Sequence, residues 1–571
     1  MSGKKYSSQD WLLLGIVLLA ATAMRAWLIS HTEVMARDGV GLVHYARQLD
    51  TQPWQEVLRG NAHPPLYPLA VLLVSFMLRP FWTTGLTSMM QLSAQLASAI
   101  AGILLLLPVY ALGRRLFNTR VAFWSTLFVA CLPAAARVMS DALTESVFLF
   151  FVASTLWLAC RAIDQRRWPS WLCVGLSGGL AYLARPEGAI ALIAVGLVVA
   201  SWQLWRRDQS WIGLGWQMSG LCAGAGLAMS PYMLVIGGVT NKATGIDVLH
   251  ASVAYPPSTD CGNCRAAQPG IELLAAPMAV YWADIKNSPR LQRICWSVWA
   301  VATEIGKATN YSGWLPGFLG LYIFRRKFFE GPDSWLLPAL CGLQAILLCR
   351  VAYVAGYVAD RHVLLFLVCG APWAVATVFA IGEAVAGRLT PVAARLALVP
   401  QSMRLRNGHV LCGAFLAALI IFALPKTLEP LHSNRAGYHA AGQWLAQNAN
   451  ASDVIIDPFS WAEYYSGRTL REQPAAPPDH RAFQYIVLGC SDNEHVRLPL
   501  IPYAEELASQ GETVFQWSPS RPGSRAEAVT VYRVATDTRP AAGRVPGRLT
   551  ALPEKGSGVF ADPDPKRAGA N

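Results

Sequence analysis

Asp38, Asp141, Glu145, Arg185 and Arg361 are the residues of this 571-residue chain whose types and placing best suit chemistry. A carboxylate can take the proton of a neutral nucleophile, help worth about 10²–10⁴-fold in rate. Guanidinium groups can hold an anionic leaving group, which supplies the electrostatic part of such a reaction. Asp38 lies in a mixed polar and aromatic stretch, MARDGVGLVHYARQLDTQPWQEVLRGNAHPPLYPL over residues 35–69, directly after an apolar run from Trp11 to Ser30. A run of about 20 apolar residues is long enough to cross a bilayer, so Asp38 is expected just outside one membrane face. Ionisable groups at a membrane edge are costly to keep and mark functional sites by default.

The elements that must position these groups are membrane helices. Hydrophobic residues make up 54% of the chain and charged residues 14%, and the apolar residues fall in long runs between short basic clusters. That composition describes a polytopic membrane protein. The first run exceeds a secretory h-region and no Ala-x-Ala site follows it, so it reads as a retained helix. A formal charge of +12 would suggest nucleic acid in a soluble protein. Here Lys and Arg gather at helix ends, where the positive-inside rule puts them, so no nucleic-acid partner is expected. Most of the twelve cysteines sit singly in apolar runs, where cysteine acts as a small apolar residue, and they imply neither a metal nor a disulfide framework.

With Lys4 and Lys5 in the cytoplasm, the charge bias orders the rest. Pro64–Trp82 is expected along the outer leaflet, because a span there would put Arg114, Arg115 and Arg120 outside. The following passes are then Met89–Leu112, Val121–Met139, Ala142–Cys160, Trp171–Ala184, Ala189–Trp205, Gly213–Gly237, Ser297–Phe324, Trp335–Tyr353, Val363–Ala386 and His409–Leu424. Counting Trp11–Ser30, this gives about eleven spans. Beyond Pro425, segments such as YHAAGQWLAQNA, DVIID, YIVLGC and AVTVYRV alternate as in a small outer α/β domain. Residues from about Thr536, rich in Pro, Gly, Ala and charge, read as a disordered tail.

This topology brings Asp38, His44, His63, Arg137, Asp141, Glu145, Arg185, Glu187, Arg350, Asp360, Arg361 and His362 to one side. Several have a second, structural reading. Asp38 and Asp141 suit helix N-caps before GVGLVHYARQL and Ala142–Cys160, with Glu145 favoured by a helix dipole. Arg185 can pair with Glu187 at a turn, and Arg350 can snorkel beside Tyr353 and Tyr357. For Cys261 and Cys264, in CGNC on an outer loop, a local disulfide is preferred over zinc because no second ligand pair follows.

The order of these pieces carries a resemblance. An aspartate past the first span, then HPPLYPL, GRRLFNTRVAFWSTLF, SDALTESVFLFF, LAYLARPEG and a late DRHVLLFLVCGAPWAV is similar to the GT-C glycosyltransferases that use polyprenyl-phosphate sugars. Within them it resembles the family 39-type protein O-mannosyltransferases, the lipid A aminoarabinose transferase and their bacterial relatives, over Trp11 to Ala386. The resemblance implies that Asp38 engages the acceptor as general base. Asp141 matches the acidic residue of the second outer loop and counts with Asp38 as catalytic. His63, Arg185, Arg361 and His362 are implied to bind substrate or phosphate, and the reading of the residues adds Glu145 and Arg350 to that group. This sequence has Asp38-Gly39 where the mannosyltransferases have Asp-Glu, and Arg361-His362 where many relatives have Arg-Tyr. No cofactor is required, although Asp38 with Asp141 could hold a divalent metal as in the oligosaccharyltransferase branch.

The expected architecture is therefore mainly α: a transmembrane GT-C helical bundle (1–426) with outer-leaflet juxtamembrane helices, a small extracytoplasmic α/β domain (427–535) and a tail (536–571). The expected activity is inverting glycosyl transfer from a polyprenyl-phosphate sugar donor to a hydroxyl of a lipid, glycan or protein acceptor. It would proceed at the outer face of the inner (plasma) membrane, with membrane lipid as the surrounding partner. A non-catalytic glycan-binding or assembly protein and a lipid-linked sugar transporter are the alternatives. The transporter should show paired repeats and midplane charges, which the sequence lacks.

Overall fold

The computed structural model describes residues 6–83, 85–242, 279–281, 285, 288–395, 401–470, 483–489, 500–519 and 527–535. The first half is α1 (Ser8–Ser30), α2 (Arg37–Thr51), α3 (Trp54–Gly60), α4 (Leu66–Leu78), α5 (Leu86–Leu104), α6 (Leu106–Leu116), α7 (Thr119–Cys131), α8 (Pro133–Val138), α9 (Glu145–Gln165), α10 (Trp168–Ala184), α11 (Ala189–Arg206) and α12 (Trp211–Ile236). A short strand β1 (Ala279–Tyr281), α13 (Arg290–Ala308), α14 (Trp314–Ile323), α15 (Asp333–Ala355), β2 (Tyr357–Ala359), α16 (Leu364–Arg395) and α17 (Gln401–Thr427) complete the bundle. β1 and β2 pair antiparallel, with Ala279 opposite Ala359.

Among the described residues, eight helices are long and apolar enough to cross a membrane, against the eleven spans expected. The other three expected passes are short or broken. Val121–Met139 is divided into α7 and α8 at Pro133, whose missing N–H cannot continue the helix. Trp171–Ala184 falls in α10, of 17 residues. Ser297–Phe324 is divided between α13 and α14, where Asn310 and Tyr311 take left-handed φ of 50° and 56°. Large apolar side chains such as Leu19, Met77, Leu227, Leu234 and Phe422 stand exposed on the bundle, a surface suited to lipid tails rather than water.

Polar contacts sort the helix ends into two sets. At one end Thr119 Oγ1 donates to Asp10 (2.8 Å), Arg114 pairs with Asp10 (3.1 Å), and Arg115 bridges Asp164 and Asp333 (2.6 and 2.5 Å). There too Arg206 donates to the Phe329 carbonyl (2.9 Å). At the other end the Glu33 N–H donates to the Leu431 carbonyl (3.3 Å), Arg137 pairs with Glu429 (3.3 Å) and Arg293 donates to the Tyr353 carbonyl (2.8 Å). The basic clusters around Arg114 and Arg206 thus share one end and the Asp38 stretch occupies the other. α4 starts and finishes at the Asp38 end. Arg79, just past its last turn, is held by Asp50 near the end of α2 (2.6 Å).

Two features tighten the bundle. A Cβ on Gly175 or Gly224 would lie 2.1 Å from the Leu221 or Leu172 carbonyl oxygen, so only glycine lets α10 and α12 approach so closely. Arg25, 1% exposed within α1, donates to the Ala21 and Ala130 carbonyls (3.2 and 3.4 Å). The second of these lies at the end of α7, where a cation offsets the helix dipole; the sequence reading had not singled Arg25 out.

Beyond α17 the chain forms a small α/β unit: α18 (Ala436–Asn448), β3 (Val454–Ile456), α19 (Trp461–Tyr465), β4 (Phe483–Gly489), α20 (Leu500–Ala508), β5 (Glu512–Trp517) and β6 (Val529–Ala535). The strand order is β3-β4-β6-β5, with β3 parallel to β4 and the other pairs antiparallel. Ile486, Val487 and Val531 are fully buried and give the sheet its core. Cys261, Cys264 and the tail 536–571 lie outside the described residues.

Candidate active site

Four charged side chains from four separate segments form a line at the Asp38 end. Asp38 Oδ2 is 2.7 Å from an Arg361 Nη1. The Arg361 Nε in turn stands 3.9 Å from Glu145 Oε1, and that same oxygen accepts from Arg185 Nη1. Arg185 reaches on to Glu187 (3.5 Å), which also pairs with Lys242 (3.1 Å). Carboxylates and cations therefore alternate from Asp38 to Lys242, each cation held between or beside acids.

Local structure explains each position. Asp38 is the second residue of α2, whose N-cap is Ala36 with no side-chain cap bond, so the capping reading of Asp38 is not the one realised. Its side chain is 42% exposed, so part of the carboxylate stays accessible. Desolvation works to raise its carboxyl, but Arg361, with Arg37 and His63, outweighs this and holds it below the ordinary value. Glu145 opens α9 and is 3% exposed, a place where the helix N-terminus favours a carboxylate. Arg185 ends α10 in an extended conformation at the hairpin tip, with its guanidinium 5.8 Å from the Phe148 ring. Arg361 sits in the one-turn 3-10 helix Asp360–Val363 after β2, so the β1–β2 pairing fixes where it emerges.

Gly39 explains why the Asp-Glu pair is missing. A Cβ there would meet Ala142 Cβ at 2.7 Å and its carbonyl oxygen at 2.8 Å. The absent side chain lets the start of α2 press against the loop between α8 and α9.

Asp141 is buried and fully engaged. Oδ1 accepts from the Ala36 and Ala142 N–H groups (2.9 and 2.7 Å), and Oδ2 is 2.7 Å from His432 Nε2. Burial raises its carboxyl, yet His432 and the two N–H groups outweigh it and keep the value low. Asp141 does not cap α9, whose N-cap is Thr144. Nor does it face Asp38: one carboxylate is turned on Arg361, the other on His432 and the backbone. Among the described residues no group of three or more His, Cys, Asp or Glu side chains is placed to hold a metal. Given these partners, Asp38 and Asp141 do not fit as a shared divalent-metal site.

The remaining expected residues are divided. His63 lies close enough to Lys242 and Arg185 to feel their charge. Burial first, and then those two cations, push its imidazolium below the usual histidine value, against the pull of Asp38 and Glu187. His362 packs edge-on to Tyr357 at 5.7 Å, and its Nδ1 accepts from the Ala359 N–H (3.3 Å). Arg350 lies against the Tyr353 ring at 5.7 Å and makes no ion pair among the described residues, so the structure does not bring it into the charged line. His44 is spent elsewhere, its Nδ1 3.0 Å from the Thr469 carbonyl. Lys242 and His432 are additions the sequence reading missed. Lys242 carries a signal that was available: like Arg361, it is a cation at the end opposite the basic clusters around Arg114 and Arg206.

Residues 63–235 match the sequence model of the dolichyl-phosphate-mannose-protein mannosyltransferase family. This stretch, under half of the chain, contains His63, Asp141, Glu145 and Arg185 but neither Asp38 nor Arg361. No curated protein matches. Among solved structures, the Archaeoglobus fulgidus oligosaccharyltransferase AglB, in complex with an inhibitory peptide and a dolichol-phosphate, matches with a TM-score of 0.52 at 13% identity, over 82% of this chain and 60% of that one. The apo form of the Archaeoglobus fulgidus oligosaccharyltransferase matches with a TM-score of 0.50 at 13% identity, over 81% and 60%. ArnT from Cupriavidus metallidurans, bound to undecaprenyl phosphate, is matched at 13% identity over 92% and 98%, with a TM-score of 0.48. This chain spans about 60% of the length of the oligosaccharyltransferases. It is thus a multi-pass membrane protein with the fold of the GT-C glycosyltransferases, and it resembles the dolichyl-phosphate-mannose-protein mannosyltransferase family across residues 63–235.

Proposed function

We propose that the chain is an inverting glycosyltransferase that moves a sugar from a polyprenyl-phosphate carrier to a hydroxyl acceptor at the extracytoplasmic face of the inner membrane. The observation that carries this reading is the line Asp38–Arg361–Glu145–Arg185, a base beside cations at one end of an apolar bundle. The acceptor hydroxyl attacks the anomeric carbon from the face opposite the phosphate, and its proton passes to Asp38. The bond from that carbon to the phosphate oxygen breaks, and the electron pair leaves with the polyprenyl phosphate. Arg361 and Arg185 hold that phosphate, a charge-assisted contact that strengthens where water is excluded. Because Arg361 pairs with Asp38 in the free protein, an arriving phosphate draws the guanidinium toward itself and leaves the carboxylate to the acceptor.

The lipid part of the donor has a matching surface. An apolar cavity of about 250 Å³ lies between α14, α15 and α16, lined by residues such as Trp314, Phe318, Phe366 and Trp373. Phe366, five positions along the chain from Arg361, lines one part of the cavity, which runs from there toward Leu337 and Pro338 near the start of α15. Asp141 supports the site by holding Ala36, two residues before Asp38. The family match and the dolichol-phosphate bound in the similar oligosaccharyltransferase AglB support a polyprenyl-phosphate donor.

Mass spectrometry of glycolipids and envelope glycans, with and without the protein, tests the reading. One polyprenyl-phosphate sugar should accumulate and one sugar modification should vanish when the protein is absent. Unchanged glycolipids and glycans would contradict it.

A further inference from the structure

The α/β unit after α17 holds the chain on both sides of Asp38, by the backbone of Met35 and by the side chain of His44. The Met35 N–H donates to the Tyr465 hydroxyl (3.1 Å), and Trp461 Nε1 donates to the Met35 carbonyl (2.9 Å), both from α19. The Tyr465 hydroxyl donates onward to Gln91 Oε1 of α5 (3.0 Å). The next N–H, that of Ala36, is held by Asp141, whose second oxygen is held by His432 just beyond α17. On the far side of Asp38, His44 of α2 meets the Thr469 carbonyl. Met35 is fully buried and Ala36 is 7% exposed, so water cannot readily replace these bonds and losing one leaves a buried group unpaired.

Asp38 lies two residues beyond Ala36, in the first turn of α2. Misplacing a catalytic group by about 1 Å can cost about 10²-fold in rate, so whatever fixes this turn sets the efficiency of the base. We propose that the C-terminal α/β unit is a clamp for the Asp38 turn, with Tyr465 and His432 as positioning residues. Its effect on turnover rests on the glycosyl-transfer reading, whereas the clamping itself does not.

Hydrogen–deuterium exchange on the full-length protein in detergent tests it. Tyr465→Phe and His432→Ala should each speed exchange across residues 33–44 by about tenfold, the upper end for one net hydrogen bond. Protection of β4 and β6 should persist. Tyr464→Phe is the control, since its hydroxyl donates to the Thr87 carbonyl (2.8 Å), outside that segment, and it should leave residues 33–44 unchanged. Should Tyr465→Phe unfold the unit, Trp461→Phe, which keeps a ring and removes one donor to Met35, replaces it. No change over 33–44 in the positioning variants, or an equal change in the control, overturns the clamp. In transfer assays the same variants should lower kcat about tenfold with the donor KM unchanged, and His432→Gln, which keeps a donor for Asp141, should recover most of it; a KM effect alone also overturns the proposal. If Asp38→Asn leaves transfer intact, the functional reading fails while the exchange result stands by itself.

Discussion

Asp38 Oδ2 and Arg361 Nη1 lie 2.7 Å apart although 323 positions separate them in the chain. The carboxylate is thereby kept ionised and the guanidinium is placed where an anion can reach it. The pairing gives a pH prediction with a definite sign. Arg361 holds the Asp38 carboxyl below its ordinary value, so activity that needs the ionised form should stay flat through neutral pH and fall only below about pH 4. In Arg361→Gln the opposing effect of burial is left largely unbalanced, and the acid limb of kcat/KM should move upward. A pH–rate profile of the two proteins checks this; an unshifted limb would contradict it.

Arg185 is 13% exposed and serves Glu145 and Glu187 together. Removing one partner of a buried pair strands the other charge, at a cost of about 3–5 kcal/mol. Arg185→Gln should therefore lower thermal stability as well as transfer. Arg185→Lys, which keeps the charge but not the fork, should preserve most of the stability and raise the donor KM. Melting curves in detergent beside donor titrations separate the two effects.

Gly39→Ala puts a methyl group against Ala142, with the carbonyl oxygen 2.8 Å away. Overpacking of this kind costs about 1–3 kcal/mol, and here it should also push the Asp38 turn off its place. Both melting temperature and transfer should fall, and Gly39→Glu, which recreates the Asp-Glu pair of the mannosyltransferases, should be worse than Gly39→Ala. Measurement of both variants for expression, melting and turnover decides this.

Much of the site was legible because charge out of place is informative. On the expected topology Arg185 and Arg361 fall at the side away from the basic clusters, and Asp38 follows a span at once. What the sequence could not show was who faces whom. Asp141 and His432 are 291 positions apart, and nothing local in either segment points to the other. Arg350 has the right type at the right depth, but its rotation on α15 turns it to Tyr353. Three of the eleven expected spans are not single long apolar helices among the described residues. Pro133 divides one of these runs and the left-handed pair Asn310 and Tyr311 another, whose first helix also carries Glu304 and Lys307.

The two-ended distribution of polar contacts makes a topological prediction. In a background without exposed cysteines, Ser509→Cys in the α/β unit should react with a membrane-impermeant reagent added outside intact cells. Arg326→Cys, exposed at the opposite end, should react only after the membrane is opened. The reverse pattern would place the Asp38 cleft in the cytoplasm.

Asp38 as proton acceptor is the centre of the account, and single-turnover transfer by purified protein tests it most directly, using the polyprenyl-phosphate sugar that accumulates in cells lacking it. Asp38→Asn should fold, bind that donor and transfer its sugar about 10²–10⁴-fold more slowly, with Asp38→Glu in between. Transfer by Asp38→Asn at the wild-type rate would contradict the account.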